Sequence, residues 1–268
     1  MTLSIENRVA LLQAMVETAR EAGVVILRHY AGTVEGRQKA DKSPVTDADN
    51  EAEALIIERL ARVAPGVPVV AEELAAAGSI PEIGHAPFFL VDPLDGTKEF
   101  LNRNGEFTVN IALIESGQPT AGVVFAPALG RMFWGAGKEA FEQQADPQAR
   151  LIGAPHRIKA RVPPTNGMTA VASRSHRDSK TEELLAHYKI AAFVTSGSSV
   201  KFCLVATGEA DIYPRHGPTC EWDTAAGHGV LAAAGGRVTL LDGQTPLTYG
   251  RAGDKFLNPH FIAWGAKE

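Results

Sequence analysis

Cysteine is almost absent: Cys203 and Cys220 are the only two in 268 residues, and neither belongs to a Cys-x-x-Cys pair. That excludes a disulfide framework and leaves both as reduced thiols. The eight histidines show no His-Glu-x-x-His spacing, so a zinc-binding helix is excluded and any metal should be held by oxygen. No run of about 18 apolar residues occurs, and the N-terminus lacks the basic flank, apolar segment and small-residue cleavage site of a signal peptide. The expectation is a cytoplasmic protein without an integral membrane segment. Basic runs are missing too. Lys and Arg number 26 against 31 Asp and Glu, a formal charge of −5, which argues against a nucleic acid polymer as partner. What remains is 45% hydrophobic residues, enough to bury the core of one large domain or of two lobes.

The chain is organised around Phe88-Phe89-Leu90-Val91-Asp92-Pro93-Leu94-Asp95-Gly96-Thr97-Lys98-Glu99-Phe100. Four apolar residues predict a buried strand, Pro93 and Gly96 a turn, and Thr97 the start of a helical turn. Asp92 and Asp95 would then sit at the carboxyl end of a strand. Gly96 would let the backbone approach a ligand, with the N–H groups after it forming an anion site. A Pro-x-Asp-Gly turn is also a common structural feature, so other acids must decide. Glu72-Glu73 follow the short strand Val67–Ala71, and alternation there should send one carboxylate into a cleft and the other away. Asp223 stands where it can cap a helix through Val230 and Leu231. Together Glu72, Asp92, Asp95 and Asp223 would carry a charge of about −4, untenable without cations or raised pKa values. All-oxygen ligation selects Mg²⁺.

The flanking pattern supplies the frame. Val9, Leu12, Met15, Val16, Ala19, Ala22, Ile26 and His29 follow the period of an amphipathic helix that stops at Gly32. A second helix starts at Thr46-Asp47 and carries Ala52, Leu55, Ile56, Leu60 and Val63 on one face. Asp47, Asp49, Glu51 and Glu53 in its first turns suit the helix dipole. Residues 107–114, 120–126, 131–136 and 140–143 predict an antiparallel meander, and 144–168 a crossover. Beyond it, strands at 169–172 and 191–195 alternate with helices near 182–188, 200–208 and 224–234. This divides the chain into an N-terminal α+β lobe, 1–150, and a C-terminal α/β lobe, 151–268.

The segments AEE (71–73), VDPLDGTKEF (91–100) and EWDTAAGH (221–228) resemble the inositol monophosphatase superfamily of Mg²⁺-dependent, lithium-sensitive phosphatases. KSPVTDADNEAE (42–53), NGEFTVNIALI (104–114), SRSH (173–176), SGSSVKFCLVA (197–206), DIYPR (211–215) and LNPHFIA (257–263) are most similar to its bacterial CysQ branch, the 3′(2′),5′-bisphosphate nucleotidases. The resemblance spans nearly the whole chain. It implies an α/β fold, a layered α/β/α/β/α sandwich, and two or three Mg²⁺ ions. One ion would be held by Glu72, Asp92 and the Leu94 carbonyl, and another by Asp92, Asp95 and Asp223. Thr97 paired with Asp49 would orient the attacking water, with Glu72 as its base. Gly96 and Thr97 would offer N–H groups to the phosphate.

The same resemblance implies that Ser198, Lys201, Arg215 and His176 hold the nucleotide and its distal phosphate. Two cations favour a substrate with a second phosphate, although Lys201 alone also fits a solvated helix face. The implied reaction is hydrolysis of adenosine 3′,5′-bisphosphate to AMP, with 3′-phosphoadenylyl sulfate as a second substrate. An inositol or sugar monophosphatase is the alternative, and a non-catalytic nucleotide-binding module the remote one. Members occur as monomers or homodimers, and some bacterial ones are peripheral to the inner membrane. Ala71 departs from the Ser or Gly frequent before the Glu pair, and a shift in loop packing is the expected consequence.

Overall fold

A computed structural model describes residues 5–33, 36–39, 44–173 and 179–267. The chain begins with α1 (Ile5–Ala31), a short hairpin of β1 (Arg37–Gln38) and β2 (Pro44–Val45), and α2 (Asp47–Val63). Then come β3 (Val69–Ala71), α3 (Glu72–Ala76), β4 (Phe88–Asp95) and α4 (Thr97–Leu101). A meander follows through β5 (Thr108–Glu115), β6 (Gln118–Ala126), β7 (Arg131–Ala136), β8 (Glu139–Ala145) and β9 (Leu151–Ile158). These strands form a seven-stranded sheet in the order β3 to β9, antiparallel except where β3 runs beside β4. The segment expected as a crossover therefore carries the seventh strand. Its prolines, Pro155 among them, favour a loop, but β9 is an edge strand, where a missing N–H and exposed residues are tolerated.

The second half supplies β10 (Met168–Ser173), α5 (Ser179–Leu185), β11 (Ile190–Ser196), α6 (Val200–Ala206), β12 (Ile212–Arg215), α7 (Glu221–Ala233), β13 (Arg237–Leu240) and β14 (Phe261–Trp264). Its five strands form a mixed sheet in the order β11-β10-β12-β14-β13. Two core clusters account for the layering. Val109, Ile111 and Leu113 of β5 pack with Met15, Ala19 and Ile26 of α1, while Ala112 and Ile114 pack with Phe202 of α6 and Val230 of α7. Both faces of β5 are buried, which is why its sequence is apolar throughout rather than alternating. Beyond the second sheet, Leu185 of α5 packs on Ile212 and Ile262. The result is helices, sheet, helices, sheet and helix, the α/β/α/β/α layering expected.

Two details of α1 depart from the periodicity. Val9 is exposed, and His29 pairs with Glu51 of α2 at 2.8 Å instead of entering the core. The close contact between α7 and the first sheet depends on glycine. A Cβ at Gly122 of β6 would lie 2.2 Å from the Ala226 carbonyl oxygen, and one at Gly229 would meet the β6 backbone at 3.0 Å. Only the lack of side chains there brings the helix down onto the strand.

Candidate active site

Asp92 and Asp95 are three residues apart, and in a regular strand they would face opposite ways. A register shift lies between them: Asp92 pairs with Asn110 and Asp95 with Thr108, so three residues oppose two. The extra residue turns both carboxylates to the face occupied by α6 and α7. Asp92 is 1% exposed, and its Oδ1 accepts the Leu94 N–H at 3.0 Å. Gly96 follows with a φ of +92°, left-handed backbone that few other residues adopt.

Asp49 and Asp223 arrive by a shared local device. Each is the third residue of its helix, and one oxygen accepts the N–H of the residue before the helix, from Thr46 at 2.7 Å and Cys220 at 2.8 Å. The other oxygen stays available. Asp223 is thus not the residue that opens its helix: α7 starts two residues earlier, with Cys220 as N-cap. Thr97 Oγ1 donates towards Asp49 Oδ1 at 3.2 Å and the Leu94 carbonyl at 3.3 Å, so the expected Thr97–Asp49 pair is formed.

The expectation that Glu72 and Glu73 point apart does not hold. The strand ends at Ala71, and both acids fall in the first turn of α3, where Lys39 Nζ reaches Glu72 at 2.6 Å and Glu73 at 2.7 Å. Burial opposes charge on Lys39, but the two carboxylates outweigh it and hold the ammonium above the ordinary lysine range. Burial also pushes the Glu73 carboxyl up to about 7.

Glu72, Asp92 and Asp223 converge. An oxygen from each lies within 4.8 Å of the others. Burial first, then mutual repulsion among these acids and Asp95, holds the carboxyls of Asp92 and Asp223 well above the ordinary aspartate range. Asp95 is raised to about 6, again chiefly by burial, and accepts the Ser199 backbone N–H while Lys201 opposes the shift. The set is carboxylate oxygen throughout, with no nitrogen or sulfur, which suits a hard divalent cation. Crowded acids that resist ionisation are stabilised as anions when such a cation sits among them.

Next to this cluster is a cleft with about 520 Å³ of empty volume, lined by Asp95, Gly96, Ser198, Lys201, Arg215 and Asp223 among others. Lys201 is 5% exposed, so it is no solvated helix face. Its Nζ donates to the Ser198 carbonyl at 2.5 Å and lies 5.5 Å from the Tyr213 ring centre. Burial lowers it to about 8, still protonated at neutral pH. Ser198 has a φ of +46°, unusual for a residue with a side chain, and its Oγ is buried without a protein partner, as is Arg215 Nε. His176 lies outside the described residues.

Several participants escaped sequence reasoning. Lys39, Glu73, Glu99 and Thr224 reach the cluster or line the cleft. Of the acids early in α2, Asp47 pairs with Arg37 and Glu51 with Arg28 and His29, but Glu53 is 4% exposed and accepts the N–H groups of Glu73 and Leu74.

The sequence profile of the Inositol monophosphatase family matches residues 7–262. The chain belongs to the inositol monophosphatase family. Its curated relatives include the 3′(2′),5′-bisphosphate nucleotidase CysQ of Salmonella typhimurium strain LT2 and that of Escherichia coli K12, each 43% identical over 94% of this chain and 98% of the relative. Among solved structures, CysQ from Bacteroides thetaiotaomicron, a bacterial member of the family, aligns with a TM-score of 0.78 and 35% identity over 96% of this chain and 97% of its own. The inositol monophosphatase from Anabaena aligns at 0.73 and 26% identity, covering 97% and 92%. As in other members of this metal-dependent family, an acidic cluster suited to cations is present. No helix among the described residues is long and apolar enough to cross a membrane.

Proposed function

We propose that the protein is a Mg²⁺-dependent 3′(2′),5′-bisphosphate nucleotidase. It removes the 3′-phosphate of adenosine 3′,5′-bisphosphate to leave AMP and phosphate, and takes 3′-phosphoadenylyl sulfate as a second substrate. The observation that carries the reading is the meeting of Glu72, Asp92 and Asp223 within 4.8 Å beside a cleft holding Lys201 and Arg215. Two nearby relatives named as 3′(2′),5′-bisphosphate nucleotidases support it.

Glu72, Asp92, Asp95, Asp223 and the Leu94 carbonyl would hold two or three ions. Magnesium bound there would supply Lewis-acid chemistry, lowering the pKa of a nearby water and offsetting charge on the departing ester oxygen. The chain's own groups do the rest. With its hydrogen directed to Asp49, the Thr97 hydroxyl oxygen can accept a hydrogen bond from the attacking water and so orient it. Glu72 takes the proton that this water gives up. The N–H groups of Gly96 and Thr97, at the left-handed turn into α4, receive the phosphate. Lys201, Arg215 and the Ser198 hydroxyl, with His176, hold the 5′-phosphate and nucleoside. Two unsatisfied buried polar atoms in that group, Ser198 Oγ and Arg215 Nε, suit an anionic ligand.

The test is turnover of adenosine 3′,5′-bisphosphate against inositol 1-phosphate at equal Mg²⁺. The nucleotide should be preferred by kcat/KM, and Lys201→Ala should erase most of that preference. A preference for the inositol ester would instead make the protein an inositol monophosphatase.

A further inference from the structure

Helix α3 opens on Ala71, which has no side chain able to cap it. Orphan N–H groups at a helix start are usually met by a Ser, Thr, Asp or Asn in that position. Here they are met from another helix: Glu73 N–H donates to Glu53 Oε2 at 2.7 Å and Leu74 N–H to Glu53 Oε1 at 2.9 Å. Both oxygens of a buried carboxylate are thereby committed to one turn of a five-residue helix. A neutral local cap would satisfy the same N–H groups without burying a charge. What the distant carboxylate adds is registration. Glu53 lies one helical turn after Asp49 on α2, so a single rigid element ties down both the Asp49–Thr97 pair and the turn that begins with Glu72.

We propose that Glu53 is a positioning residue for Glu72, setting cation affinity through that side chain. The inference rests on the reading that Glu72 is a cation ligand. Binding of Mn²⁺, followed by the EPR signal of the free ion, tests it on wild type, Glu53→Gln, Glu53→Asp, Glu72→Gln and the Glu53→Gln/Glu72→Gln double variant, with thermal unfolding measured in parallel. Outer groups that orient ligands typically contribute about 10–100-fold in affinity. Glu53→Gln should therefore weaken Mn²⁺ binding by about tenfold or more. Glu53→Asp should recover part of that loss, and it alone should still show weakened binding where Glu53→Gln does not fold. In the Glu72→Gln background, Glu53→Gln should change the affinity little.

If the Glu53 variants bind Mn²⁺ like wild type and only unfold at lower temperature, Glu53 is a structural cap and the inference fails. Fully additive losses in the double variant overturn it as well. Wild-type binding by Glu72→Gln would remove Glu72 as a ligand and take the inference with it, a result distinguishable from failure at Glu53 alone.

Discussion

Asp49 and Asp223 owe their aim to the backbone. Each gives one oxygen to the N–H that precedes its own helix, and the side chain can then point in only one direction. Glu72, Asp92, Asp95 and Asp223 were legible as residues because strand ends and helix starts carry local signals, a turn after Val91 and a helical pattern after Glu221, whereas only the family resemblance singles out Asp49. Lys39 was not legible. Its tie to Glu72 spans 33 residues and leaves no periodicity behind. Ala71 shows the same limit: it does more than shift loop packing, since its missing cap is supplied by Glu53. A residue-scale prediction follows for Asp95, whose half-buried carboxylate accepts the Ser199 N–H and faces Lys201. Asp95→Asn removes one negative charge without changing size. Turnover should fall by about a hundredfold or more, about 2.7 kcal/mol of barrier, while the thermal midpoint of the chelated protein holds or rises. Near-wild-type turnover would exclude Asp95 from the catalytic set.

At the scale of elements, the meander from β5 to β8 was predicted to within three residues at each end, because Ser-Gly, Leu-Gly and Gly-Lys turns punctuate it. Strand β9 was missed because its burial is that of an exposed edge, and Gly and Pro there carry the same local signal as a loop. The approach of α7 to β6 was also invisible: Gly122 and Gly229 are informative only once it is known what they touch. That contact sets where Asp223 lies. Gly122→Ala should force a Cβ against the Ala226 carbonyl, lower stability by about 1–3 kcal/mol and raise the Mg²⁺ concentration needed for half-maximal activity. Thermal unfolding and a magnesium titration check both. A loss of stability with unchanged Mg²⁺ dependence would uncouple the contact from the site.

The whole molecule gathers like charges from both halves of the chain into one buried place, which it can tolerate only in balance with something positive. Without divalent cations, the folded state keeps the Asp95 proton up to about pH 6, while the unfolded chain releases it near 3.8. A carboxyl raised on folding contributes stability at low pH that is lost as pH rises through its folded value, here on the order of 3 kcal/mol. Asp92 and Asp223 shift in the same direction. The rise in thermal midpoint on adding magnesium should therefore be small at pH 5 and larger at pH 8, since groups that the cation does not touch cancel when the comparison is made at each pH. An equal rise at both would mean that the cation does not relieve this repulsion.

If these converging acids make a cation-dependent phosphatase, phosphate release from adenosine 3′,5′-bisphosphate by chelator-treated protein must return as Mg²⁺ is added back. Release should be undetectable at first and rise to saturation with the added ion, with AMP as the other product. Turnover that persists in excess chelator, or none at any Mg²⁺ concentration, would contradict the account.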